Sequence, residues 1–182
     1  AEHYSLANHY YELGGKQNFK RASIWYFRAA GLGHAKAQYK LGQMFFRGEG
    51  VARDLKKAKT WFLKSAQNGH LRGKMSTAAM YEKGYGTAPS AREALRWWTD
   101  AANQGSEVAQ MKMFQVYSRG ELGIRRNMSK ARMWANRAAK QGNYIAQMQS
   151  AKAKNNMSSA PKNAHKGKST VAAKKKKSKR RG

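Results

Sequence analysis

The sequence predicts an all-α solenoid, and three observations carry that prediction. Trp25, Trp61, Trp97 and Trp134 are spaced 36, 36 and 37 residues apart, a period that marks a repeat array. The same register aligns small residues: Ala22, Ala58, Ala94 and Ala131; Ala30, Ala66, Ala102 and Ala139; Gly33, Gly69, Gly105 and Gly142. Within one unit, "AKAQYKLGQMFFRGEGVARDLKKAKTWFLKSAQNGH", apolar residues recur at helical spacing before Arg47 and again after Asp54, so each unit is a pair of helices.

The elements follow in order from these signals. The units span about 4–34, 35–70, 71–106 and 107–143, and a last first-helix at 144–154, "YIAQMQSAKAK" included, is expected to cap the array over a domain ending near residue 150. First helices stop at glycine pairs that permit a tight turn: Gly48 with Gly50, Gly84 with Gly86, Gly120 with Gly123. Second helices start in the column Asn18, Asp54, Ser90 and Asn127, whose side chains can accept from exposed backbone N–H groups. The extra residue of the 37-residue interval falls in "RGELGIRRN", a loop, where it disturbs neither helix. Small residues in the alanine columns let helices approach closely. The tryptophans, with Tyr26, Phe62 and Trp98 beside them, are expected in the core rather than as base-stacking platforms.

The unit "AQYKLGQMFFRGEGVARDLKKAKTWFLKSAQNG" resembles the Sel-one-like repeat, a relative of the tetratricopeptide repeat, with its A-x-A-Q-x-x-L-G-x-M-Y-x-x-G-x-G-V, D-x-x-K-A and W-x-x-K-A-A-x-x-G pattern. The next unit departs from it, with Gly73 and Lys74 in place of Ala-Gln and no Leu-Gly pair four residues on. The fourth has Met113-Phe114 there, and the first lacks a clear Ala-Gln. The resemblance covers about residues 4–150 and implies a right-handed α/α solenoid whose first helices line the concave surface.

The 182 residues carry 37 Lys and Arg against 9 acids, a net charge of +28, which concentrates anionic partners and repels basic ones. Residues 151–182 hold 12 of those cations and no acid, yet the remainder is basic too, with 25 cations against 9 acids. From residue 155 to 182 the register stops and the composition is that of a disordered Lys/Arg-rich tail. It is similar in composition to linker-histone tails. Its cluster of Lys174, Lys175, Lys176, Lys177, Lys179, Arg180 and Arg181 is a candidate polyanion-binding element, since displaced counterions favour binding to any polyanion.

Catalytic chemistry is not supported. There is no cysteine, the acids are scattered, and His34 and His70 occupy an interhelix column that later holds Ser106 and Asn143, which reads as helix-entry chemistry. His3 and His9 lack HExxH spacing, and the Gly-x-Gly turns follow helices, not strands. No enzyme, cofactor or metal is expected.

Binding is located by the register. Lys36, Lys40, Gln43 and Arg47 stand at i, i+4, i+7 and i+11 and share one helix face. Stacked across units, the last position gives Arg47, Lys83 and Arg119, and the second gives Tyr4, Lys40, Ser76 and Lys112, with Tyr39 and Tyr81 nearby. These rows make a candidate concave groove for an acidic protein or extended anionic partner; a solvated basic face gives the same pattern. The function expected is a repeat scaffold that docks a protein or peptide on the solenoid while the basic face and tail hold an anionic surface. A bacterial envelope component, extracytoplasmic and contacting acidic proteins, lipopolysaccharide or peptidoglycan, fits the first residue being Ala1, as does a merely trimmed chain. The alternative is a nucleic-acid-associated protein of cytoplasm, nucleoid or nucleus with the tail as an arm.

Overall fold

A computed structural model of the chain describes residues 2–142 together with 147, 148 and 151. Among them are eight helices and no strand: α1 (Glu2–Leu13), α2 (Gly15–Gly31), α3 (Ala35–Arg47), α4 (Leu55–Gln67), α5 (Leu71–Lys83), α6 (Ala91–Asn103), α7 (Glu107–Arg119) and α8 (Met128–Ala139). Each helix packs on its chain neighbours, and the first helices α3 and α5 also touch, so the molecule is an all-α solenoid of four helix pairs. Of the predicted capping helix only Gln147, Met148 and Ala151 are described, each helical. The tail with Lys174–Lys177, Lys179, Arg180 and Arg181 lies outside the described residues. No described helix is long and apolar enough to cross a membrane.

The helix ends repeat because their chemistry repeats. His34, His70 and Ser106 precede α3, α5 and α7, and each side chain accepts from the backbone N–H three residues on. Asp54, Ser90 and Asn127 do the same for α4, α6 and α8. Gly48, Gly84 and Gly120 end α3, α5 and α7 in the left-handed conformation. Asn18 departs from the expected column: it lies inside α2, where its Nδ2 donates to the Gly14 carbonyl at 3.0 Å. The cause is the connection between α1 and α2, which is Gly14 alone rather than a loop of several residues, so α2 begins earlier.

Gly50 and Gly86 show why the turn needs its second glycine. A Cβ at Gly50 would overlap the Phe19 carbonyl, and one at Gly86 the Leu55 carbonyl, because each turn lies against the backbone of the preceding unit's second helix. At Gly123 nothing lies within 4 Å. The longer loop, with Leu122 at φ 52, has lifted away from that contact.

The alanine columns are buried as expected except at Ala139, which is only half-buried, and Tyr26, Phe62 and Trp98 join them. The tryptophan column divides: Trp97 and Trp134 are buried, whereas Trp25 and Trp61 are only half-buried. Each ring carries a cation, Arg28 at 4.5 Å from Trp25, Lys64 at 4.7 Å from Trp61, Arg96 at 5.2 Å from Trp97 and Arg137 at 4.7 Å from Trp134. In three units the cation stands three residues after the tryptophan. In the third that position is Asp100, which pairs instead with Lys74 Nζ at 2.9 Å.

That exchange explains the departure of this unit from the repeat pattern. Gln38 and Gln110 each donate to a carbonyl of the preceding helix at 3.1 Å and accept from Asn68 and Gln141, just past the end of the next one. Lys74 occupies the equivalent position and substitutes an ion pair. Gly73 replaces alanine because a Cβ there would stand 2.6 Å from Ser65 Oγ and 2.9 Å from the Ala66 nitrogen.

Candidate functional site

The sequence-predicted face of α3 opens onto α5, and two adjoining hollows lie there on either side of Tyr39. A cationic hollow of about 270 Å³ is lined by Tyr4, Lys36, Tyr39, Lys40, His70 and Arg72. An aromatic hollow of about 230 Å³ is lined by Tyr39, Gln43, Phe46, Arg47, Phe62, Ser76, Ala79, Met80 and Tyr85. Tyr39 is fixed from both sides: its ring centroid is 4.9 Å from that of His70 and 5.7 Å from that of Phe62, and its hydroxyl accepts from Gln43 Nε2 at 3.1 Å. His70 is fixed in turn because its Nδ1 accepts from the Gly73 N–H at 3.2 Å to start α5. The helix cap and the groove wall are therefore one device.

Among the described residues no carboxylate lines either hollow. Burial lowers the pKa of the Lys40 ammonium, and the neighbouring charges of Arg47 and Arg72 push the same way. Glu49 and Glu12 act in the opposite sense without restoring it. Burial also lowers the His70 pKa, with Lys36, Arg72 and His34 adding to the effect. The imidazole is thus a neutral wall, and the positive field comes from Lys36, Lys40 and Arg72. Such a site gains most from an anion that supplies the missing counter-charge.

The remaining predicted residues are placed differently. Lys83 and Arg119 end α5 and α7 on the exposed rim, in line with Arg47 at the edge of the aromatic hollow; Arg47 is 3.6 Å from Glu49 and Arg119 3.5 Å from Glu121. Lys112 is drawn into a polar cluster: its Nζ lies 2.8 Å from Glu82 Oε1 and 3.3 Å from Glu121 Oε2, while Trp98 Nε1 donates to Glu82 Oε2 at 2.9 Å. Lys112 and Glu82 side chains are 18% and 19% exposed. Burial opposes ionisation of both, yet their mutual hydrogen bond, the Trp98 donor and Glu121 prevail, leaving the Glu82 pKa lowered and the Lys112 pKa raised. Lys112 ties α7 to α5 and the loop after α7. Tyr81 packs against the core and faces Lys59 at 5.6 Å.

Arg72 and the walls Phe46, Phe62 and Met80 are groove residues that the sequence reading does not single out. Arg72 stands 36 residues after Lys36, so stacking the first face position as well as the second and last finds it. The aromatic walls carry no such signal, since an aromatic at helical spacing reads as core.

A family model described as the Sel1 repeat matches residues 3–34, 35–70, 74–106 and 108–143. Among solved structures, a Sel1 repeat protein from Oxalobacter formigenes is 30% identical, with a TM-score of 0.68 over 73% of this chain and 54% of that one. A protective antigen present in uropathogenic Escherichia coli strains and displaying an SLR fold is 31% identical, with a TM-score of 0.71 over 79% of this chain and 31% of that one. The chain thus spans about half and about a third of the length of these two structures. No curated protein matches it. Sel1 repeat proteins generally act as scaffolds for protein–protein interaction and are typically non-catalytic. With four matched repeats covering most of its length and the solenoid they build, this chain belongs to the Sel1 repeat family.

Proposed function

We propose that the chain is a non-catalytic scaffold whose α3–α5 groove docks an extended acidic segment of a partner protein. One observation carries this reading: Lys36, Lys40 and Arg72 converge on a hollow that no described carboxylate lines. An acidic side chain entering there replaces water with charge-assisted hydrogen bonds and relieves the mutual repulsion of the three cations. The excess of cations elsewhere on the body and in residues 151–182 adds salt-dependent attraction to an anionic surface. A bacterial envelope setting is the reading we prefer for that surface, supported by the charge and by the protective-antigen character of one structural neighbour.

The test is fluorescence anisotropy with a labelled acidic peptide on the full chain. Binding should weaken steeply between about 50 and 200 mM salt. It should fall at least tenfold in Lys40→Glu and Arg72→Glu, while Lys83→Glu, on the rim, changes it little. Equal loss in all three variants would assign the binding to net charge instead of the groove. Tighter binding of a nucleic acid of the same length, unaffected by Lys40→Glu, would favour the nucleic-acid reading. Fractionation of the native host decides the setting: recovery in the cytosol overturns the envelope.

A further inference from the structure

The aromatic hollow beside the cationic one has a cause that the repeat register exposes. At the interface of the third and fourth units, Lys112, Glu82 and Trp98 meet and fill the space with two hydrogen bonds. The residues 36 positions earlier are Ser76, Phe46 and Phe62, and these line the hollow. One unit earlier still, Lys40 covers the equivalent place, with its Nζ 4.7 Å from the Tyr11 ring centroid. A lysine therefore spans the first-helix interface on both sides of this one, and at the middle interface a serine leaves it open. The walls that remain are apolar: Phe46, Phe62, Ala79 and Met80, with Tyr85 at the lip 43% exposed and edge-on to Phe46 at 5.8 Å.

Resting on the groove reading, we infer that the hollow at Ser76 is an anchor pocket for one large apolar side chain of the same partner, so that the groove recognises an acidic pair and an aromatic or large aliphatic residue together. The register along α3 sets their spacing. The centre of Lys36 and Lys40 and the centre of Gln43, Phe46 and Arg47 are separated by about seven residues, or about 10 Å of helix. An extended chain lying along it covers that length in about three residues. The occupant assigned here is a segment of the partner protein; the run from 151 to 182 does not fit, since it has no acid to place in the cationic hollow. Tyr39, which walls both hollows, makes them a single two-part site.

The probes are labelled peptides Asp-Asp-Ser-Ser-Phe and the reversed order, each paired with a counterpart having Ala for Phe, titrated against the full chain. In one of the two orders the aromatic peptide binds about tenfold more tightly than its alanine counterpart, the gain expected for burying one such side chain. Ser76→Leu, which fills the hollow, removes that gain and leaves the alanine peptide bound as before; Ala79→Leu, filling it from another wall, does the same if Ser76→Leu fails to fold. Equal affinities for aromatic and alanine peptides in both orders overturn the anchor while leaving the acidic groove intact. So does retention of the gain in both filled variants. Failure of all four peptides to bind at low salt overturns the groove reading itself.

Discussion

Replacing Lys112 with methionine separates a structural cation from a binding one. The change keeps the aliphatic stem and removes the charge that bridges Glu82 and Glu121. Breaking a fully buried pair by removing one partner costs about 3–5 kcal/mol, and an exposed pair about 0–1. With both side chains about one-fifth exposed and Trp98 still donating to Glu82, the loss falls between these limits, at about 2 kcal/mol. For a domain of this size that lowers Tm by about 4–8 °C. Circular dichroism melts of the full chain read it directly, with Arg119→Ser as the control: its guanidinium side is 68% exposed and its pairing with Glu121 is worth at most about 0.5 kcal/mol. The pH dependence supplies a second check. The Glu82 pKa is lowered on folding, so its contribution is present above the usual carboxylate value of 4.5 and is lost as pH falls below it toward the folded value. The stability difference between the wild type and Glu82→Gln should accordingly shrink between pH 6 and pH 3. If Lys112→Met melts within a degree of Arg119→Ser, the cluster is a surface pair and Lys112 returns to the list of groove cations.

Three further outcomes test the account of the fold, each by equilibrium or thermal denaturation. Gly50→Ala should destabilise by about 2 kcal/mol or more, from positive φ plus overlap with the Phe19 carbonyl, whereas Gly123→Ala bears only the backbone strain of about 1 kcal/mol. His34 and His70 have pKa values lowered from 6.5, chiefly by burial, so the stability they confer is complete above pH 6.5 and declines as pH falls below it. The pH 7 to 5 loss should be smaller in His34→Ser/His70→Ser, whose hydroxyls cap without titrating. Asp100→Lys alone should destabilise by up to about 1 kcal/mol by opposing Lys74, and adding Lys74→Gln, which restores the pattern of the other units, should recover it.

The fold was legible because a repeat writes each structural demand several times. Tryptophan, alanine and glycine columns give the helix pairs, and Asp54, Ser90 and Asn127 give their phase. Asn18 shows where columns mislead: it shares their register, yet a one-residue connection at Gly14 moves the helix start away from it. The site was half legible for a related reason. Register tells which side chains share a face, so Lys36, Lys40, Gln43 and Arg47 were found on the groove wall. It does not tell what the neighbouring helix presents to them: Lys112 shares the register of Lys40, but Glu82 and Glu121 stand beside it.

The columns that break are where this array acquires individual character. A family-wide repeat demands a close-packed interface at every step, and the residues that meet the demand recur. At the α3–α5 interface the recurrent demand is met less completely, with Ser76 where the units on either side place Lys40 and Lys112. Leaving Phe46 and Tyr85 partly open to water costs free energy that a filling side chain at position 76 would avoid, and Arg72 beside Lys36 and Lys40 adds repulsion to that cost. An unfilled hollow and a cation cluster that Glu49 and Glu12 only partly offset are each destabilising, and they adjoin through Tyr39. On the docking proposed above, a single occupant with an acidic pair and an apolar anchor would remove both penalties at once, so that affinity for such a segment and the local instability of the free scaffold would have the same origin. Hence a saturating two-part peptide should raise the Tm of the wild-type chain but leave that of Ser76→Leu/Lys40→Glu unchanged.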